Sequence, residues 1–161
     1  MLRMTRDALL LSIRPRFADQ IFAGTKTVEL RRVRPRVEAG DLVIVYASGE
    51  TRALLGAFQV AKVVSSSPDA IWRKYRDKTG LTKTEFANYY SGSDVAFAIE
   101  IAHTWQLAAP VCLHALRKKS KGFRPPQGYH YLDPAAVLNI GGDALQRWRS
   151  LKASESAEVS Q

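Results

Sequence analysis

The positions of apolar residues along the chain predict a mixture of strands and helices. Residues 9–13 and 42–46 are almost continuously apolar, which is typical of buried strands. Residues 95–101 instead place a large apolar residue at every second position, the pattern of a strand with one buried face. Two further strands are expected, a long one over residues 53–64 and a weaker one over residues 107–113.

Short polar motifs mark where helices begin and end between these strands. The first helix follows Pro15 and ends near Gly24. Ser67-Pro68-Asp69 has the residue types of a helix N-terminus, and Thr82-Lys83-Thr84-Glu85 has the pattern of a capping box. Asp133-Pro134 can begin a last helix. The aromatic residues of the middle helices lie at helical spacing and are assigned to the core: Trp72, Tyr75, Phe86, Tyr89 and Tyr90.

Strands interrupted by a helical pair predict the α+β class. The chain has 161 residues, a length that suits one domain, which we place at residues 1–149. Residues 150–161 are small and polar and predict a disordered tail. Residues 117–131 are rich in Lys, Arg, Pro and Gly, so a surface loop is expected there.

The composition indicates which classes of partner the protein binds and in which cellular compartment it lies. Lys and Arg number 24 against 15 for Asp and Glu, so the formal charge is +9, which favours polyanions such as nucleic acids. Cys112 is the single cysteine and cannot form an internal disulfide, which predicts a reducing compartment, by default the cytoplasm. No apolar run approaches the roughly 20 residues that cross a bilayer, so no membrane partner is expected.

Several common catalytic designs are absent from the sequence. There is no Walker-type glycine-lysine loop, no dinucleotide-binding glycine pattern and no nucleophile elbow. The histidines and the cysteine lack the spacing of a zinc site. We therefore expect neither a cofactor nor a bound metal. The residues concerned are His103, His114, His130 and Cys112.

One segment combines a lysine, a glutamate and an arginine in quick succession: Gly24-Thr25-Lys26-Thr27-Val28-Glu29-Leu30-Arg31. Val28 and Leu30 alternate with the charged residues, so the strand places Glu29 and Arg31 on one face. Lys26 lies in the preceding turn and can reach the same space. A carboxylate held there can accept a hydrogen bond from the edge of a base, while the two cations bind a phosphate group. The alternative is a solvated surface ion pair.

This segment resembles the G-x-K-x-x-E-x-R signature of the ASCH domain family. Other segments resemble a prokaryotic subgroup of that family in order and spacing, among them Tyr46-Ala47-Ser48, residues 71–75 and Arg124-Pro125-Pro126-Gln127. The resemblance covers residues 7–132. It implies a small PUA-like β-barrel with helices covering its openings, and a cleft associated with RNA or modified nucleobases.

The resemblance implies two activities. Some prokaryotic members that look like this chain cleave RNA. Others hydrolyse the amide of acetylated cytidine, with a lysine, a threonine three residues later and a distant glutamate. Lys26 matches that lysine, but Glu29 occupies the position three residues on and Thr27 lies only one residue on. The chain therefore departs from the amidohydrolase pattern.

Metal-free RNA cleavage needs a base, an acid and cations, and these requirements give the candidate catalytic residues Lys26, Glu29 and Tyr46. The same side chains would serve a protein that binds RNA without cutting it. Three functions stay open: a metal-independent ribonuclease acting on single-stranded RNA, a non-catalytic nucleic-acid-binding regulatory module, and an amidohydrolase of an acetylated nucleoside. The expected partner is single-stranded RNA or a flipped nucleotide, bound by a monomer. The candidate nucleic-acid-binding residues are Lys26, Arg31, Arg32, Arg34, Ser48, Lys118, Lys119, Lys121, Arg124, Gln127 and Tyr129.

Overall fold

The computed structural model describes residues 8–133, 135–137 and 139–140, together with residues 146, 150, 154, 155, 157 and 158. Most of the tail from residue 150, which the sequence predicts to be disordered, lies outside the described residues. That part of the sequence interpretation therefore stays a prediction.

The described residues form both strands and helices, with the helical pair α2–α3 between β4 and β5, and the expected α+β class is confirmed. Six strands form one sheet with the order β2-β5-β4-β3-β1-β6. The elements are β1 (Ala8–Ile13), α1 (Pro15–Ala23), β2 (Val28–Arg31), β3 (Leu42–Ala47), β4 (Ala53–Ser66), α2 (Pro68–Tyr75), α3 (Lys83–Tyr89), β5 (Ala96–Cys112), α4 (Leu113–Lys119) and β6 (Tyr129–Leu132).

The chain divides into two compact units, to which β4 and β5 each contribute residues. Unit 1 comprises residues 1–15, 42–58 and 105–161, and unit 2 comprises residues 16–41 and 59–104. Within the described residues, no helix has the length and apolar character to cross a membrane.

Unit 1 is built around β1. This strand lies parallel to β3, with Ser12 opposite Tyr46, and antiparallel to β6, with Leu11 opposite Tyr129. All six residues of β3 are buried, as its continuous apolar sequence predicts. Leu113 and Leu116 of α4 join the same apolar core. The core therefore encloses Tyr46 between strand and helix residues.

Unit 2 contains β2, which pairs antiparallel with β5 so that Glu29 lies opposite Ile99 and Arg31 opposite Phe97. The even-numbered residues of β2 face a core that includes the aromatic residues of α2 and α3. Tyr75, Phe86 and Tyr90 are buried, as predicted. The prediction fails for Tyr89, which is 37% exposed because it lies at the edge of that aromatic cluster. The buried core residues are Val28, Leu30, Ile71, Tyr75, Phe86, Tyr90, Ala96 and Ala98.

The helix starts predicted from short motifs are confirmed. The Thr82 hydroxyl accepts a hydrogen bond from the backbone N–H of Glu85. The Glu85 carboxylate accepts one from the backbone N–H of Thr82, which completes the capping box. Ser67 accepts from the Ala70 N–H. Asp133 accepts from the Ala136 N–H. Local side-chain chemistry therefore sets where these helical segments begin.

Two expectations about the second half of the chain are confirmed only in part. The strand expected over residues 107–113 is the continuation of β5, a single strand of 17 residues. The loop expected over residues 117–131 is shorter, because α4 extends to Lys119 and β6 begins at Tyr129. Burial of leucines from α4 and pairing of β6 with β1 outweigh the polar composition of this segment.

Candidate functional site

The signature segment follows the C-terminus of α1. Gly24 has a φ of +82°, in the left-handed region that glycine adopts at a helix end. The Gln20 carbonyl then accepts from the backbone N–H groups of both Thr25 and Lys26. The Ile101 N–H donates to the Thr27 carbonyl, so pairing with β5 begins at this point. The helix end and the strand pairing together fix the backbone from which Lys26 projects.

Lys26 is almost completely enclosed, with 4% of its surface exposed. Its Nζ donates to the carbonyl oxygens of Val28 at 2.8 Å and Thr79 at 2.7 Å, and lies 3.4 Å from Oε2 of Glu29. A lysine ammonium has three N–H donors, so these three acceptors occupy all of them. Burial lowers the pKa of Lys26 and the Glu29 charge opposes that shift. The ammonium thus holds protein groups in place.

Glu29 and Arg31 project from one face of β2, as the alternation predicts. Nη2 of Arg31 lies 3.0 Å from Oε1 of Glu29, and the side chains are 14% and 10% exposed. Nε of Arg31 is buried and has no hydrogen-bond partner among the described residues. A buried donor without a partner costs about 1–3 kcal/mol, so it favours any ligand that brings an acceptor.

Two tyrosines of unit 2 hold the β2 backbone next to this pair. The Tyr90 hydroxyl donates to the Arg31 carbonyl at 3.1 Å, and the Tyr89 hydroxyl donates to the Leu30 carbonyl at 3.4 Å. Beyond the strand, Arg32 and Arg34 are exposed. Nε of Arg32 donates to Oγ of Ser93 at 3.1 Å. Unit 2 therefore combines a partly buried charge cluster with exposed arginines.

Tyr46 lies in unit 1 and is 1% exposed, with no hydrogen-bond partner for its hydroxyl among the described residues. Burial raises the pKa of Tyr46, while the positive charges of Arg52 and Arg117 oppose the shift. The hydroxyl is therefore protonated at neutral pH and can donate a hydrogen bond. Ser48, two residues on, is half-buried and donates to the Ile13 carbonyl at 3.3 Å.

The remaining candidate residues of unit 1 belong to α4, the following loop and β6. Lys118 and Lys119 are exposed in the last turn of α4. Lys121, Arg124 and Gln127 are exposed in the loop. Tyr129 is half-buried in β6, where its ring packs edge-to-face against Tyr131 at 5.9 Å, so it is a strand residue and not the loop residue expected.

The structure thus brings Lys26, Glu29 and Arg31 together within unit 2, whereas Tyr46, Ser48 and the candidates from residue 118 onward belong to unit 1. The sequence interpretation did not connect Arg52 and Arg117 with Tyr46. Arg52 lies just before β4 and Arg117 in α4, and proximity between distant segments is not visible in a linear sequence. A signal was available for Arg52, an arginine directly after the polar turn that follows Tyr46. Within the described residues, no group of three or more His, Cys, Asp or Glu side chains could hold a metal ion.

Comparison with known proteins finds a matching family and several relatives. The family model described as ASCH domain matches residues 11–112, well over half of the chain. A Zymomonas mobilis protein named ASCH domain-containing ribonuclease is 27% identical over 127 residues, which are 79% of this chain and 85% of that protein. The match therefore extends over nearly the whole length of the relative.

Several solved structures resemble the fold. The crystal structure of ASCH from Zymomonas mobilis superposes with a TM-score of 0.79 at 24% identity, covering 84% of this chain and 94% of that one. The N-terminal domain of McrB from Thermococcus gammatolerans, described as bound to m5C DNA, gives a TM-score of 0.53 at 12% identity, covering 88% and 98%. At these identities the likeness concerns the fold alone.

Proposed function

Since this chain belongs to the ASCH domain family and has its PUA-like α+β fold, we propose that it binds RNA and cleaves single-stranded RNA without a metal. The observation that carries the proposal is the buried Nε of Arg31, which has no partner among the described residues and lies in a cluster with Glu29 and Lys26. The name of the Zymomonas relative and the DNA bound by the McrB domain support a nucleic acid as the partner.

The charge cluster of unit 2 suits a nucleotide better than a simple anion. Arg31 offers an N–H donor to a phosphate oxygen or a base carbonyl. Glu29 is an acceptor and can receive a hydrogen bond from the amino group of a base. Lys26 has no donor left for a ligand and acts on the site by holding Glu29. A group that displays both an acceptor and a donor, such as a cytosine or guanine edge, matches this pair.

Exposed cations supply the remaining attraction. The formal charge of +9 provides a positive field that attracts phosphates. Arg32 and Arg34 contribute to it in unit 2. In unit 1 the exposed candidates are Lys118, Lys119, Lys121 and Arg124. Phosphate contacts of this kind give affinity without sequence preference, so selectivity falls to the buried cluster.

The proposed cleavage is an internal transesterification. The 2′-oxygen loses its proton and attacks the adjacent phosphorus, and the bond from phosphorus to the 5′-oxygen breaks, leaving a 2′,3′-cyclic phosphate and a 5′-hydroxyl. Glu29 is the candidate acceptor for the first proton. The leaving 5′-oxygen takes up a proton from water. Tyr46, in unit 1, is a separate candidate whose hydroxyl can donate a hydrogen bond, with Arg52 and Arg117 as cations in its own unit.

The test is incubation of the full chain with end-labelled single-stranded RNA in excess chelator. We expect fragments that end in a 2′,3′-cyclic phosphate. Glu29→Gln should slow cleavage by about 10²-fold or more, because it removes the proton-accepting carboxylate while keeping the shape of the side chain. Tyr46→Phe tests separately whether the hydroxyl in unit 1 takes part. The matched control is Glu50→Gln, which changes an exposed carboxylate and should cleave at the wild-type rate.

Additional measurements distinguish the ribonuclease from the non-catalytic binding module and from the amidohydrolase. Intact RNA that is nevertheless bound would leave a non-catalytic binding module, and RNA that is neither bound nor cut would contradict the whole proposal. Chromatography of acetylated cytidine after incubation tests the amidohydrolase. We expect no product, because Lys26 is fully engaged by protein acceptors and Glu29 stands where that activity has threonine. A single-stranded DNA competitor tests the preference for RNA.

A further inference from the structure

The large hydrophobic side chains that are exposed within the described residues all belong to unit 2. Val33 is 66% exposed, Val95 43% and Tyr89 37%. They lie just after β2, just before β5 and at the end of α3. Exposed apolar side chains that cluster at one strand end can mark a binding site.

Strand pairing and hydrogen bonds place the segments that carry these three residues at the end of β2. Arg31 pairs with Phe97 at the end of the β2–β5 ladder, and Val33 and Val95 each lie two residues beyond that pair. The hydrogen bond from Arg32 to Ser93 ties the same two chain segments together. The Tyr89 hydroxyl reaches the Leu30 carbonyl on the same strand. The three side chains and Arg32 form a set that we call the Tyr89 patch.

The Tyr89 ring is held in place. Its hydroxyl is anchored on β2, and its ring packs edge-to-face against Tyr90 with centroids 4.8 Å apart and planes at 76°. Tyr90 is itself buried and bonded to the Arg31 carbonyl. An aromatic ring fixed at one end and partly open to solvent loses little conformational entropy when a flat ligand stacks on it.

The charge around the patch favours an anionic occupant. Arg32 and Arg34 are exposed at its edge, whereas Arg31 is paired with Glu29. Asp94 is the one acidic residue between positions 89 and 97. A stable protein interface buries about 800 Å² on each partner, more than three exposed side chains supply. A nucleotide, by contrast, needs one aromatic face and a cation for its phosphate.

We propose that Tyr89 stacks against a base of single-stranded RNA, with Val33 and Val95 beside it and Arg32 and Arg34 contacting the adjacent phosphates. This inference rests on the proposed RNA binding and names a second contact for the same ligand. This contact gives a function to Tyr89, whose aromatic neighbours Phe86 and Tyr90 are buried in the core. Stacking is sequence-tolerant, so the patch adds affinity while the Arg31 cluster discriminates.

The experiment measures binding of a single-stranded RNA that carries 2-aminopurine, whose fluorescence is quenched on stacking. The variants are Tyr89→Phe, Tyr89→Leu and Arg34→Gln, each checked by circular dichroism and thermal unfolding. Tyr89→Phe keeps the ring and should retain affinity and quenching. Tyr89→Leu keeps an apolar side chain without a ring and should bind on the order of tenfold more weakly. Arg34→Gln should retain the quenching, but the slope of log affinity against log salt concentration should become shallower by about 0.7.

The outcomes separate this inference from the broader one. If the wild type binds RNA and Tyr89→Leu binds equally well with equal quenching, Tyr89 does not stack and the inference is wrong while RNA binding stands. An RNA of abasic sites that binds as tightly as the normal strand would also overturn it. A concentration-dependent dimer that Val33→Ser abolishes would show that the patch joins two copies of the chain, which overturns it too. No binding of RNA by the wild type removes both proposals.

Discussion

The ammonium of Lys26 donates to the carbonyl oxygen of Thr79 at 2.7 Å, across 53 positions of sequence. Thr79 is completely buried, and the bond joins the turn before β2 to the segment after α2. The lysine of the signature motif is therefore part of the framework of unit 2. A substitution there changes the structure around Glu29 as well as any chemistry, so loss of activity alone cannot assign Lys26 to catalysis.

Lys26→Met is expected to lower the free energy of unfolding by about 3 kcal/mol. The substitution removes one cation from a buried carboxylate and leaves the Val28 and Thr79 carbonyl oxygens without their donor. Urea unfolding followed by circular dichroism measures the change.

The matched control for that substitution is Lys62→Met. Lys62 also lies 3.4 Å from a glutamate, Glu100, but its side chain is 57% exposed. An exposed ion pair contributes at most about 1 kcal/mol, so this variant should lose much less stability. Equal losses in the two variants would mean that Lys26 does not act as a buried clamp.

Stability should fall as the pH rises from 10 to 12, in part because of Tyr75. Burial, followed by the negative charge of Glu100, raises the pKa of Tyr75 from its ordinary value to about 12. The folded state then holds a proton that the unfolded state has released, so the contribution is complete below pH 10 and is lost as the pH approaches 12. The loss is about 2 to 3 kcal/mol over this range.

The measurement is the free energy of unfolding as a function of pH for the wild type and for Tyr75→Phe. The phenylalanine variant has no hydroxyl to ionise, so its stability should decline less steeply between pH 10 and 12. Tyrosine absorbance at 295 nm should show one fewer late-titrating group in the folded variant. Parallel stability curves for the two proteins would contradict the assignment.

The parts of the fold that the sequence predicted are those set by neighbouring residues. The capping box at Thr82 needs only four consecutive residues, and the shared face of Glu29 and Arg31 follows from the two-residue period of a strand. The contact between Lys26 and Thr79 depends on how distant segments pack, so no local pattern could reveal it.

The second half of the chain was harder to predict because its signals are short. Only Leu113 and Leu116 provide a helical apolar spacing in α4, and three basic residues follow them at once. That run is too brief to distinguish a helix from a loop without knowing that both leucines reach the core of unit 1. Tyr89 was misplaced for a related reason, since spacing alone does not tell the edge of a buried cluster from its centre.

Thr82→Ala is expected to destabilise the chain by about 1 kcal/mol. The hydroxyl is the acceptor for the Glu85 N–H at the start of α3, and alanine leaves that donor to solvent. Thr84→Ala is the control within the same helix, because Thr84 is exposed and alanine has the higher helix propensity. Thermal unfolding of both variants checks the prediction, and a Thr84→Ala protein as unstable as Thr82→Ala would count against the cap.

Neutralising Lys118, Lys119 and Lys121 together should flatten the salt dependence of RNA binding. All three are exposed at the end of α4 and in the loop that follows. Each phosphate contact to a single strand contributes about 0.7 to the slope of log affinity against log salt, so the triple glutamine variant should lose about 2 from it. The charge-matched control replaces Lys74, Lys78 and Lys83, which are exposed in unit 2, by glutamine. Both variants lose the same net charge, so an equal reduction in slope would mean that RNA responds to the overall field and makes no contact with this segment.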